Sequence, residues 1–364
     1  MNAGQKLRAA LDDPALATRL LDAIRREARE LPPVRFMEVC GTHTVAIRRA
    51  GIPRLLPPSV ELVSGPGCPV CVTPNETLDR AIAIAELPDV TVASFGDMLR
   101  VPGTVSSLAQ ARARGAEVRV VYSPLDAVRL ARERPDRRVV FLAVGFETTA
   151  PTAAAALLAA RDVPNFYLFS AHKLVPPALA ALFARPDFAV QGLLLPGHVS
   201  AIIGADAYRP LAEERRVPCV VAGFEPADVL LSILMLLRQL RTGRAEVEIE
   251  YRVAVSGPGN ARAREIMEEV FVATDSRWRG LGEIPQSGLS LRPEFAAQDA
   301  GRVLAVSVPE SSEPAGCLCG QVLVGAVRPT ACPLFGDACR PARPVGPCMV
   351  SNEGTCAAYY RYGG

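Results

Sequence analysis

The stretch "RFMEVCGTHTVAIRR", residues 35–49, contains one repeat of the pattern that decides the fold. An apolar run suited to a buried strand stops at Cys40. Gly41 lets the backbone turn, and a helix-like segment follows. Strand, turn and helix make up the first two-thirds of a βαβ unit. The order recurs down the chain. "VELVSG" (60–65) precedes "NETLDRAIAIAEL" (75–87), and "VTVASF", "AEVRVVY" and "RRVVFLAVGF" continue the series. After an Ala-rich helix at 151–161 come "NFYLFSA", "VQGLLLPG" and "VPCVVAGF", the last feeding "PADVLLSILMLLRQLR".

Apolar runs alternating with helices predict an α/β fold built on parallel sheet. Eight strands are many for one sheet, so the chain divides at "ARDVPN" (160–165) into two doubly wound parallel-sheet domains. The boundaries read as 1–162 for an N-terminal helix and first α/β domain, and 163–241 for the second. Residues 242–364 form a third, Cys-rich α+β domain. In it, "RAEVEIEYRVAV" alternates with period two and predicts an antiparallel strand, and "GPGNARAREIMEEVF" predicts a helix. From 317 onward, Gly, Pro and Cys dominate, with little apolar surface to bury, so something else must hold the segment.

Ligands in parallel sheets sit beyond the carboxyl ends of the strands. The unusual motifs fall there: Cys40, "SGPGCPVC", "GFETTAPT", "SAHK", "LPGHVS" and "GFEPAD". Any one could be a turn, but together they predict a shared cleft.

Composition excludes several classes. With 49% hydrophobic and 21% charged residues over 364 positions, the chain is a folded protein of several domains. A formal net charge of +2 gives no field for nucleic acid and no polybasic membrane patch. Residues 1–31 read as a charged amphipathic helix, not a secretory signal. No apolar run nears the roughly 18–20 residues of a membrane span. The expected location is therefore the cytoplasm, where structural disulfides are rare. Ten cysteines there predict metal ligands or working thiols.

They fall into groups. Cys317, Cys319, Cys332, Cys339, Cys348 and Cys356 can give four thiolates to an Fe–S cluster or a zinc ion, leaving two over. No paired CxxC knuckles of a zinc ribbon occur among them. Cys68 and Cys71 form a CxxC motif before a helix, suited to dithiol–disulfide cycling or to soft metal ligation. Cys40 is solitary. Thr42 or Thr44 could cap the following helix, placing the thiol where a thiolate is favoured, with His43 to tune it or carry a proton. Cys219 reads as core.

These motifs together resemble the HypD hydrogenase maturation family: "CGTHT" (40–44), "GPGCPVC" (65–71), "ETTAPT" (147–152), "PGHVSAIIG" (196–204) and "GFEPAD" (223–228). Cys317, Cys332, Cys339 and Cys356, separated by 14, 6 and 16 residues, match that family's cluster pattern. The resemblance implies that these four bind a [4Fe–4S] cluster. It also implies a scaffold on which the Fe(CN)2CO unit of [NiFe]-hydrogenase is built. The implied partners are a HypC-type chaperone, HypE charged by HypF as cyanide donor, and indirectly the hydrogenase large-subunit precursor. Cys40 would ligate the iron in transit, with Cys68 and Cys71 touching iron or relaying electrons. The spare pair Cys319 and Cys348 would pass electrons from the cluster. Glu353, in "NEGTC", would move protons or shape the cluster pocket, and His198 would hydrogen-bond cyanide or a partner. Glu147, Thr148 and Thr149 would frame the cleft. Ordinary enzymatic turnover is not evident. The rival readings are a stand-alone, cluster-dependent disulfide reductase centred on Cys68 and Cys71, and a zinc-stabilised binding protein.

Overall fold

The computed structural model describes residues 14–308 and 310–363. All eight anticipated strands form, and a ninth joins them. They divide into two parallel sheets. The strands are β1 (Val34–Glu38), β2 (Val60–Ser64), β3 (Val90–Ser94), β4 (Glu117–Val120), β5 (Arg138–Ala143), β6 (Phe166–Ser170), β7 (Gly192–Pro196), β8 (Cys219–Ala222) and β9 (Val247–Ile249). One sheet runs β2-β1-β7-β8-β9 and the other β4-β3-β5-β6.

This order corrects the cut at 162/163. After β2 the chain leaves the first sheet, builds the whole second sheet, and returns with β7 to pair beside β1. The first α/β unit is thus discontinuous in sequence. Hydrophobic periodicity marks each strand but carries nothing about which strands pair, because each is buried whichever sheet takes it.

The stretch at 244–255 is also corrected. Only Val247–Ile249 is strand, and it pairs parallel with β8. The antiparallel element comes later: β10 (Phe271–Trp278) and β11 (Gly282–Leu291) form a hairpin with a bulge between Thr274 and Ser276. The predicted helix before it spans Ala261–Val270. This hairpin does not stand alone. Met267, Phe271, Leu289 and Leu291 pack with Phe141, Leu157 and Phe166 of the second sheet's layer. Trp278 and Ile284 pack instead with Cys68, Cys71 and the Cys-rich segment.

The N-terminal helix covers Pro14–Arg29, the rest of that expectation lying outside the described residues. Leu20 and Ile24 bury against Ile233 and Leu237 of the helix Pro226–Arg241. Among the described residues no helix is long and apolar enough to cross a membrane.

Candidate functional site

Topology gathers the motifs. Four adjacent strands of the first sheet, in the order β2-β1-β7-β8, end in "GPGCPVC", "CGTHT", "PGHVS" and "GFEPAD". The strand order reverses between β1 and β7, and a crevice at such a switch point is where parallel sheets bind ligands. Cys40 lies on one side of it and His198 on the other.

Cys40 is itself the N-cap of the helix Gly41–Arg49, in extended conformation. Neither threonine caps that helix. The Thr42 hydroxyl donates to Glu353 Oε1 at 2.7 Å, and the Thr44 hydroxyl to Glu38 Oε1 at 3.0 Å. Burial pushes the Cys40 thiol up to about 11, outweighing the helix terminus. The free protein therefore holds a thiol there, and a thiolate needs a metal or other cation to form.

The Cys68 loop lies directly on Cys40. Gly67 has room for no side chain: a Cβ would stand 2.3 Å from the Cys40 nitrogen. Its carbonyl accepts from Gly41 N–H at 3.0 Å. Cys68 caps the single-turn helix Pro69–Val72, and Cys68 and Cys71 are joined as a disulfide, Cα atoms 5.3 Å apart. In this oxidised state the pair offers no free thiolate to iron.

His43 is fully buried. Its Nε2 stands 2.9 Å from the Gly223 carbonyl, which can only accept, so Nε2 carries the proton. Nδ1 is then a buried lone pair without a partner among the described residues. Burial lowers the ring's pKa to about 4, so His43 is neutral near pH 7. Phe224 stacks on both histidines, 4.7 Å from His43 and 4.0 Å from the exposed His198. One phenyl ring thus ties three motifs together.

The Cys-rich segment approaches from above this edge. All six of its cysteines line one small apolar cavity with Phe335, Gly346 and Met349. Two sulfurs meet: Cys319 and Cys348 are 2.8 Å apart and both buried. The hydrogen bond from Cys348 lowers the Cys319 pKa and raises that of Cys348. The remaining four suit a cluster by their chemistry. Burial pushes Cys317 up to about 12, so its thiolate would form only with a further positive charge beside it, which iron would supply. Donors spread round a void fit a [4Fe–4S] cluster, in which each thiolate takes a different iron.

Glu353, though exposed, docks this segment on the Cys40 helix: a Cβ on Gly41 would meet its Cβ and carbonyl oxygen at 2.5 Å. His172 lies apart, in a separate cavity between the second sheet and the hairpin. Cys219 opens β8, fully buried. Glu147 is buried, its Oε1 accepting from Val175 N–H at 2.9 Å and its carboxyl pushed up to about 7 by burial. Thr149 is the N-cap of the helix Ala150–Ala159, without a side-chain cap bond.

Sequence reasoning missed Arg279. This buried guanidinium donates from Nε to the Cys71 carbonyl at 3.0 Å. Its Nη2 reaches the Thr73 carbonyl and Asn75 Oδ1, each at 2.8 Å. Its Nη1 pairs with Glu313, and its charge acts on Cys319 and Cys348. The residue bridges the disulfide loop and the thiol pair. The only sequence signal is a charged residue between Trp278 and Gly280. Glu38 was also missed. It is buried at the end of β1, accepts from Ser64 and Thr44, and is pushed up to about 7 by burial.

The HypD family model, described as "Hydrogenase formation hypA family", matches residues 15–363. The chain is 46% identical to the hydrogenase maturation factor HypD of Escherichia coli (strain K12) over 357 residues, covering 96% of each. It is 48% identical to that of Rhizobium leguminosarum bv. viciae over 338 residues, 90% of this chain and 88% of the relative. With the Azotobacter vinelandii protein it shares 47% over 360 residues, 96% and 95% of the two chains.

Proposed function

The chain belongs to the HypD family of hydrogenase maturation factors, and from that premise we propose that it is the scaffold on which an iron ion receives cyanide and CO before delivery to [NiFe]-hydrogenase. The observation that carries this reading is the contact of the Cys40 and Cys68 loops at neighbouring strand ends, with the cysteine cavity behind them.

Each residue takes a role. Cys40 gives a soft thiolate to low-spin ferrous iron, the cargo, and the charge of that iron overcomes the burial that otherwise keeps the thiol protonated. A partner of HypC type supplies a second thiolate, and a HypE-type protein, charged by a HypF-type one, presents cyanide as a thiocyanate. Releasing it is a two-electron reduction: the thiocyanate and two thiols give a carrier thiol, hydrogen cyanide and a disulfide. Cys68 and Cys71 would be those thiols and, once joined, would be reduced again by exchange with Cys319 and Cys348. Cys317, Cys332, Cys339 and Cys356 would hold a [4Fe–4S] cluster, which supplies electrons singly. Arg279 fixes the Cys71 loop, and its charge favours a thiolate at Cys319. His198, exposed and stacked on Phe224, faces cyanide or the partner. Glu353 anchors the cluster segment on the Cys40 helix.

The test is a Mössbauer spectrum of iron-57-labelled protein purified without oxygen with its small partner. A cluster signal and a separate low-spin ferrous signal are expected. Cys40→Ala should lose only the second, and Cys332→Ser the first. The rival reading, a stand-alone disulfide reductase, draws on the Cys68–Cys71 disulfide and the adjoining thiol pair. It calls for the cluster signal alone, unchanged by Cys40→Ala.

A further inference from the structure

Lys173 is one of two lysines in the chain, the other being Lys6, and the fold buries it. It is 4% exposed, at the carboxyl end of β6, on the floor of a polar cavity of about 480 Å³. An ammonium has three N–H donors. Among the described residues one of them is used, on Ser276 Oγ. Among the described residues no carboxylate stands within ion-pairing distance of it, although Glu76 is near enough to act on its charge. A buried cation so poorly satisfied is costly unless a further acceptor arrives.

The hairpin is shaped around this floor. In a regular strand alternate side chains leave the face, but the bulge at Thr274 and Ser276 breaks the alternation. Thr274, Asp275, Ser276 and Arg277 consequently all line the cavity. Hydroxyl donors remain: among the described residues the Ser276 O–H has no acceptor while its oxygen accepts from Lys173, and Thr274 and Ser290 pair at 2.9 Å with one O–H to spare. The acids Glu76, Asp275 and Glu283 are exposed at the rim, where water screens them. Lys173 on the floor is screened least. Burial pushes its pKa down to about 8, which leaves it mostly charged at neutral pH.

We propose that this cavity binds a small phosphate-bearing ligand, with Lys173 and the hydroxyls of Ser276 and the Thr274–Ser290 pair as its donors. The donor set points to phosphate over carboxylate. A tetrahedral oxyanion accepts from several directions at once, as an ammonium and separate hydroxyls in one cavity require, and Lys meets phosphate as a point charge. The Arg80 fork is turned onto the Gly301 carbonyl and the Phe169 ring, and Arg277, exposed at the rim, adds a second cation to the cavity. The site is separate from the cysteines, so its occupancy is measurable without any maturation assay.

The experiment is calorimetric titration of the full-length protein with inorganic phosphate, glycerol 3-phosphate and, as carboxylate control, succinate. Saturable one-to-one binding of a phosphate compound is expected, weakened at least about tenfold by Lys173→Met. Tighter binding of glycerol 3-phosphate would mark an organic phosphate as the occupant, and equal binding would mark the free ion. Thr274→Val, a milder change, should weaken binding as well and covers the case in which Lys173→Met does not fold. Absence of binding, succinate binding as tightly as phosphate, or affinity unchanged in both variants would overturn the proposal.

Discussion

The sulfurs of Cys319 and Cys348 stand 2.8 Å apart, buried together in the wall of the cavity that all six C-terminal cysteines line. Two thiols so placed should close to a disulfide on mild oxidation. Peptide mapping after such treatment should find a Cys319–Cys348 crosslink, and Cys348→Ser should remove it while leaving the iron content of the C-terminal segment unchanged. If both thiols still react with alkylating reagent after that treatment, the pair is not a redox couple.

Arg279 holds the loop after Cys71 through four hydrogen bonds of its backbone and side chain, to Val72, Cys71, Thr73 and Asn75. Replacing it by Met leaves the Cys71 and Thr73 carbonyls without these donors and Glu313 without its partner. A loss of about 3–5 kcal/mol in denaturant unfolding is expected. Arg279→Lys should recover little of it, because an ammonium cannot reproduce the fork. Full recovery by lysine would mean that charge, not geometry, is what the position supplies.

Gly67→Ala sets a methyl group against the Cys40 backbone, where the nearest atom is 2.3 Å away. One loop must move, at a cost of about 1–3 kcal/mol. The expected signature is selective: the low-spin ferrous signal assigned to Cys40 weakens and the cluster signal persists. Loss of both together would show that the substitution unfolds more than the loop.

Glu147 gives a pH dependence of known sign. Its folded pKa is raised by burial to about 7 from a reference of 4.5. The folded state therefore binds its proton more tightly than the unfolded chain does. The stabilising contribution is complete below about 4.5 and is lost as pH rises through about 7, up to about 3 kcal/mol in all. Glu147→Gln keeps the Oε1 acceptor for Val175 and does not titrate. Its stability should gain on that of the original protein between pH 5 and 8, followed by urea midpoints. A constant difference across that window would mean that the carboxyl is ionised throughout.

Much of this was legible in the sequence, for a definite reason. Strand and helix are set by local periodicity, so "RFMEV" followed by "CGTHTVAIRR" reads as strand and helix before any tertiary contact is known. The motif cysteines stand out because their surroundings suit neither a core nor a disulfide framework. Six cysteines in a Gly/Pro-rich segment also imply a shared purpose, and the fold does place all six around one cavity.

What the sequence could not carry is anything that depends on which elements meet. Each buried strand is apolar whichever neighbour it takes, so the return of β7 to β1, which brings His198 opposite Cys40, has no local signature. The contact of Thr42 with Glu353 spans 311 residues, and no spacing rule reaches that far. Arg279 and Lys173 read as surface charges by type, and only packing buries them. The Cys40 thiol gives the clearest case. Its place at a helix terminus, visible in the sequence, argues for a thiolate, and its burial, a property of the assembled fold alone, reverses that. Local chemistry named the reactive groups, and the tertiary structure set their charge, because desolvation depends on everything that surrounds a group and not on its neighbours in the chain.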